Sequence, residues 1–122
     1  MSKRFTNSHE WITIEGSHGT VGVTHYAQKE LGEVVYAQLP QVGQSVHLGE
    51  AVCVLESTKA AADVYSPMSG KVTAVNDAVA AKPQLINQAP ESDAWLFRLD
   101  LSKPDEAKDL LSKAAYEAMI GG

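Results

Sequence analysis

The chain has 122 residues, 44% of them hydrophobic and 20% charged, the composition of one folded domain with a single core. Ten Lys and Arg against 15 Asp and Glu leave a formal charge of −5, the wrong sign for a nucleic-acid protein or for a surface that docks on anionic lipid. The longest mostly apolar run, Ala51 to Leu55, has the length of a strand and not of a membrane span.

Along the chain, β-formers alternate with frequent turn signals. Trp11-Ile12-Thr13-Ile14 closes at Gly16, and Thr20-Val21-Gly22-Val23-Thr24 follows as a second strand. Thr24 is placed to cap a short helix, His25 to Leu31, which Gly32 ends. Val34 to Leu39 is a strand closed by Pro40, and Ser45 to Leu48 is a short alternating stretch. Ala51 to Leu55 and Asp63 to Tyr65 flank a tip of small residues, and Pro67-Met68-Ser69-Gly70 is a turn. Lys71 to Val75 alternates, Asn76-Asp77 opens a loop, and Trp95 to Leu99 is the last strand. Short strands at this spacing predict a sandwich or barrel.

The C-terminus changes period. Ser102-Lys103-Pro104-Asp105 has the form of a capping box. Ala107, Leu110, Leu111, Ala114, Ala115 and Ala118 then fall on one helical face, predicting a helix over about 103–119 packed on a core of about 5–100. The whole, 1–122, is read as one domain.

Enzyme signatures are missing: there is no dinucleotide fingerprint, phosphate loop or nucleophile elbow. His9, His18, His25 and His47 form no metal-ligand pair, so no metal is expected. The one cysteine, Cys53, rules out an intrachain disulfide and reads as a small buried hydrophobe.

One segment stands apart, Glu56-Ser57-Thr58-Lys59-Ala60-Ala61-Ala62-Asp63. A hairpin tip usually carries Gly, Asn or Asp. Here one lysine stands in a bed of Ser, Thr and Ala that leaves it unobstructed. An ammonium is a poor nucleophile, with a reference pKa of about 10.4. An enzyme that acylates it must reach around it, and a rigid tip with little bulk on either side permits that.

Glu56-Ser57-Thr58-Lys59-Ala60 resembles the lipoylation site of lipoyl-bearing carrier domains. The flanks narrow the resemblance to the H proteins of the glycine cleavage system. They are His9-Glu10-Trp11, Val21-Gly22-Val23-Thr24, Ala27-Gln28 with Leu31-Gly32, Leu39-Pro40, Ser66-Pro67 with Gly70, Val75-Asn76, and Pro83 with Leu85-Ile86-Asn87. Trp95 and a C-terminal helix with Tyr116 complete it. Departures are Thr58, where the family often has Val, Ala62, where Ser or Thr is common, and Ala94, where Gly is frequent.

The resemblance implies a mainly β fold, a lipoyl/biotinyl-type β-sandwich or flattened barrel with short helices and a C-terminal α-helix. It implies a non-catalytic carrier with lipoic acid joined by an amide to Lys59. The arm takes up the aminomethyl group of glycine at a pyridoxal-phosphate glycine decarboxylase. It passes the one-carbon unit to tetrahydrofolate at an aminomethyltransferase, and dihydrolipoamide dehydrogenase reoxidises it. A lipoate-attaching enzyme is a further partner. The family's docking residues for the loaded arm map to Ser8, Glu10 and Asp63, and Glu56 with Asp63 brackets the lysine with negative charge for steering. A monomer is expected. The expected compartment is the bacterial cytoplasm, or the mitochondrial matrix for a processed chain, because Met1 to Phe5 has basic residues but no apolar run behind it.

Three rivals are weighed. Biotin carriers typically set the lysine between two methionines, where this chain has Thr58 and Ala60. Lipoyl domains of 2-oxo acid dehydrogenase complexes typically have Asp before the lysine and lack the His9-Glu10-Trp11 block. An enzyme acting on the lipoyl group needs Cys53 as its thiol. An H-like lipoate relay serving other complexes stays open.

Overall fold

Side-chain alternation sets the strands. In the last one, Phe97, Leu99 and Leu101 are buried while Arg98 and Asp100 are exposed. The computed structural model describes residues 2–121, with the strands β1 (Ser2–Phe5), β2 (Glu10–Glu15), β3 (His18–Val23), β4 (Val34–Gln38), β5 (Ser45–Val46), β6 (Ala51–Ser57), β7 (Ala61–Tyr65), β8 (Gly70–Val75) and β9 (Phe97–Leu101). Helix α1 (His25–Leu31) follows β3, α2 (Asp77–Ala81) and α3 (Leu85–Gln88) lie between β8 and β9, and α4 (Lys113–Met119) comes last.

The strands form a six-stranded antiparallel sheet, β1-β2-β3-β9-β8-β5, and a three-stranded one, β4-β6-β7. The two share one core and do not close into a barrel, so of the two expected forms the sandwich is the one observed. That core joins Ile12, Val21, Phe97 and Leu99 of the large sheet to Val34, Leu55 and Val64 of the small one. Each such side chain contributes about 2 kcal/mol by leaving water.

A second cluster, Phe5, Trp11 and Tyr116, lies on the outer side of β1 and β2. The Trp11 indole donates to the carbonyls of Val23 and Pro90, both at 2.9 Å. Its ring covers Gly22, where a Cβ would stand 2.6 Å from the indole, so only glycine fits in this strand.

Helix α1 has the bounds expected from sequence. Thr24 Oγ1 accepts from the Ala27 N–H, and Gly32 closes the helix at φ 87°. The C-terminal helix is shorter than expected. Pro104–Asp109 is a 3-10 turn, and Leu111 is then extended, exchanging backbone bonds of 2.9 and 2.8 Å with Phe5. That bridge interrupts the helix, which restarts at Lys113 with Ser112, not Ser102, as its cap. Ala114, Ala115 and Ala118 face solvent, and Tyr116 is what α4 buries.

Other differences are local. β1 is an additional strand, and β9 begins at Phe97, two residues after Trp95. Asn76 starts no loop: its side chain caps α2 through the Ala78 N–H and donates to the carbonyls of Asp93 and Trp95. Ala94 is fully buried with negative φ, so its Cβ adds no strain.

Candidate functional site

Lys59 stands at the tip of the β6–β7 hairpin, which pairs Glu56 with Ala61, Leu55 with Ala62 and Val54 with Asp63. Ser57 makes the turn. Its Oγ accepts from the N–H groups of Lys59 (3.2 Å) and Ala60 (3.0 Å), and its own N–H donates to the Ala60 carbonyl at 2.7 Å. A serine hydroxyl thus does the work that Gly, Asn or Asp does in other tips. The Thr58 N–H donates to the Glu33 carbonyl at 3.0 Å, pinning the tip to the chain that leaves α1.

The lysine stem lies across Gly32. A Cβ at that position would stand 3.2 Å from Lys59 Cε and 3.7 Å from Cδ. Glycine there serves both the positive φ and the seat of the lysine. Asn87 fixes the segment below, donating to the Gly32 carbonyl (2.8 Å) and accepting from the Val34 N–H (2.8 Å).

Beside the tip runs a groove of about 220 Å³. Ala60, Ala61, Ala62, Asp63 and Val64 form one wall, Ala27, Glu30 and Leu31 of α1 another, and Ser8 and Glu10 also line it. The structure therefore brings Ser8, Glu10, Ala60 and Asp63 to one cleft. Glu56, Ser57 and Thr58 lie outside it, Glu56 exposed on the outer face opposite Tyr36. A larger recess, about 410 Å³ between α1 and α4, contains no residue of the hairpin.

Glu10 is buried at 2% exposure, not the solvated carboxylate that its place beside a strand would give by default. Its Oε1 accepts from the hydroxyls of Thr6 and Ser8, the latter at 2.6 Å, and its Oε2 from the Tyr65 N–H at 3.1 Å. Burial pushes its carboxyl up, and these three bonds oppose the shift without cancelling it. The residue before it, His9, is the only non-glycine with positive φ (73°) among the described residues. Its backbone bonds to Thr6 (3.2 Å) and Thr24 (3.0 Å), and its Nδ1 meets the Tyr116 hydroxyl at 2.8 Å. That hydroxyl also meets Thr24 Oγ1 at 2.7 Å, so one phenol joins the turn carrying Glu10 to the cap of α1.

The family model for the glycine cleavage H-protein matches residues 3–121. This chain belongs to that family. The glycine cleavage system H protein of Thermotoga maritima is 50% identical over 115 residues, covering 94% of this chain and 93% of that one. That of Paramagnetospirillum magneticum is 51% identical over 119 residues, covering 98% and 95%. The crystal structure of a glycine cleavage system H protein from Mycobacterium marinum superposes with a TM-score of 0.90 at 33% identity, covering 99% of this chain and 98% of that one.

The surroundings of Lys59 have room for a long acyl arm. The lysine is exposed, its seat is shaped by glycine, and a groove with alanine walls begins at the next residue. Cys53 is no candidate thiol. Burial, and then the charge of Glu10, push it up to about 12, so it stays protonated and unreactive. Thr6, His9 and Tyr116 complete the site and were not singled out as site residues from sequence. The available signal was hydroxyls two and four residues before a strand glutamate, as in Thr6-x-Ser8-x-Glu10.

Proposed function

We propose that this chain is the lipoyl carrier of the glycine cleavage system, with lipoic acid in amide linkage to Lys59. The observation that carries this reading is the exposed Lys59 beside a groove that meets a buried carboxylate, Glu10, which forms no salt bridge among the described residues. When bound, the lipoyl group supplies a disulfide that accepts the aminomethyl fragment of glycine and a dithiol that is reoxidised after the one-carbon unit moves on.

The chain's own residues bind, orient and shield. Ser57 and the Thr58–Glu33 bond fix where the arm starts. The alanine wall of β7 and the apolar side of α1 exclude water, which slows hydrolytic loss of a labile cargo. Glu10 and Ser8 offer an ammonium group a charge-assisted hydrogen bond, and Asp63 adds negative charge at the same cleft. A tether raises the effective concentration of one cargo at several enzymes in turn. Those enzymes are a pyridoxal-phosphate glycine decarboxylase, a tetrahydrofolate-dependent aminomethyltransferase, dihydrolipoamide dehydrogenase and the lipoate-attaching enzyme. The chain acts as a carrier and not as an enzyme. The proposed compartment is the bacterial cytoplasm, and the relatives are bacterial.

The test is reconstituted glycine cleavage with the Lys59→Ala chain. The side chain is exposed, so the variant keeps the wild-type circular dichroism and melting temperature while glycine cleavage falls to background. Cleavage at the wild-type rate would overturn the reading.

A further inference from the structure

β4 carries a bulge next to the lysine. Its register against β6 shifts between Val34, opposite Ser57, and Tyr36, opposite Glu56. A regular strand would turn every second residue outward. Here Val34 and Ala37 are buried while both Val35 (46% exposed) and Tyr36 (49% exposed) stand in solvent. Bulges re-aim side chains and are retained for what they present. This one presents two adjacent large apolar side chains on the flank of the hairpin, with the exposed carboxylates of Glu33 and Glu56 beside them.

The hairpin tip that carries the lysine meets the foot of this strand, where the Thr58 N–H donates to the Glu33 carbonyl and Ser57 pairs with Val34. The lysine stem lies on Gly32, one residue before Glu33 and two before β4, and Lys59 is not part of the β7 groove. In the carrier reading the cargo lies in the β7 groove, so an enzyme that loads or unloads the arm engages the groove side. An enzyme that acts on the unmodified amine meets it over Gly32, at the foot of β4.

We infer that the bulge of β4 is the docking surface for the enzyme that attaches lipoate to Lys59. That partner meets Val35 and Tyr36 with an apolar recess and Glu33 and Glu56 with basic side chains at its border. The inference rests on the carrier reading and deepens it, because it assigns separate sides of the hairpin to attachment and to use of the arm. In the attachment step the lipoate carboxylate displaces pyrophosphate from ATP to give an acyl adenylate, and Nζ, its protons passing to solvent, then displaces AMP, which carries off the carboxyl oxygen as the amide forms. The bulge contributes binding to this step and no chemistry.

The experiment measures lipoylation by a lipoate ligase with lipoate and ATP, followed by intact mass as the concentration of the chain is varied. Val35→Ser and Tyr36→Ser are compared with wild type and with Val42→Ser, which changes a still more exposed valine beyond the end of β4. Loss of an exposed aromatic anchor raises KM roughly tenfold while kcat stays constant. Val35→Ser gives a smaller rise, Val42→Ser none, and melting temperatures are unchanged. Once lipoylated, the two bulge variants serve the decarboxylase with the wild-type KM. An unchanged KM for lipoylation overturns the inference, and so does an equal rise in KM at the ligase and the decarboxylase, which would make the bulge a common docking surface. A wild-type chain that takes no lipoyl group overturns both readings and marks the failure as that of the carrier itself.

Discussion

Two glutamates hold two parts of this molecule, and they are served in opposite ways. Glu91 binds the Lys3 ammonium at 2.9 Å and the His25 N–H, the first of α1, also at 2.9 Å. Burial alone would raise its carboxyl, but the His25 N–H and Lys3 hold it below the usual range. Glu10 is the more buried of the two, receives two hydroxyls and one N–H, and stays above that range because of its burial. At Glu91 the chain supplies the cation. At Glu10 it supplies hydroxyls and an N–H but no salt bridge among the described residues, and in the proposed function an ammonium entering the cleft brings the positive charge. The same residue type thus serves as a latch where a lysine pairs with it and, in the proposed function, as a binding site where none does.

The sharpest way to break this comparison is Glu10→Gln, which keeps the shape and removes the charge. The loaded carrier is expected to release ammonia about tenfold faster in water, because one charge-assisted bond is lost. Measuring ammonia release from the lipoylated, loaded chain decides it, and an unchanged rate would return Glu10 to a purely structural role. The same variant is expected to gain about 1 kcal/mol of stability at neutral pH, the usual exchange of function for stability at a binding site. The sign follows from linkage. A raised folded pKa gives stability that is present below the ordinary glutamate range and lost as pH rises through the folded value. The gap between variant and wild type therefore closes in acid.

Glu91→Gln sharpens the contrast at smaller scale. The pair is about a third exposed, so the loss is about 0.5 kcal/mol, read by urea unfolding, with no effect on ammonia release. A lowered folded pKa gives stability that is present above the ordinary glutamate range and lost as pH falls through the folded value. The two variants depart from wild type in opposite directions at neutral pH and converge on it in acid.

Local rules made much of this fold legible. Thr24 and Gly32 mark α1 because capping and positive φ are properties of single residues. The strands of the core follow from alternation, as in β9. Tertiary contacts decided the rest. Ser2 to Phe5 is too polar to read as a strand, yet pairs with β2 because Phe5 belongs to the second cluster. The helical period across Leu110 and Leu111 gave way to the backbone bridge with Phe5. At the site, Lys59 was legible because its neighbours are small, whereas the burial of Glu10 needs Thr6, Ser8 and the left-handed turn at His9 acting together.

The central claim is that Lys59 carries the lipoyl group. Intact mass with peptide mapping tests it, after incubation with lipoate, ATP and a lipoate ligase and in parallel with biotin and a biotin ligase. The account predicts one lipoyl adduct, mapped to Lys59, and no biotin. A folded chain with no lipoyl adduct, or with the adduct on another lysine, would contradict it.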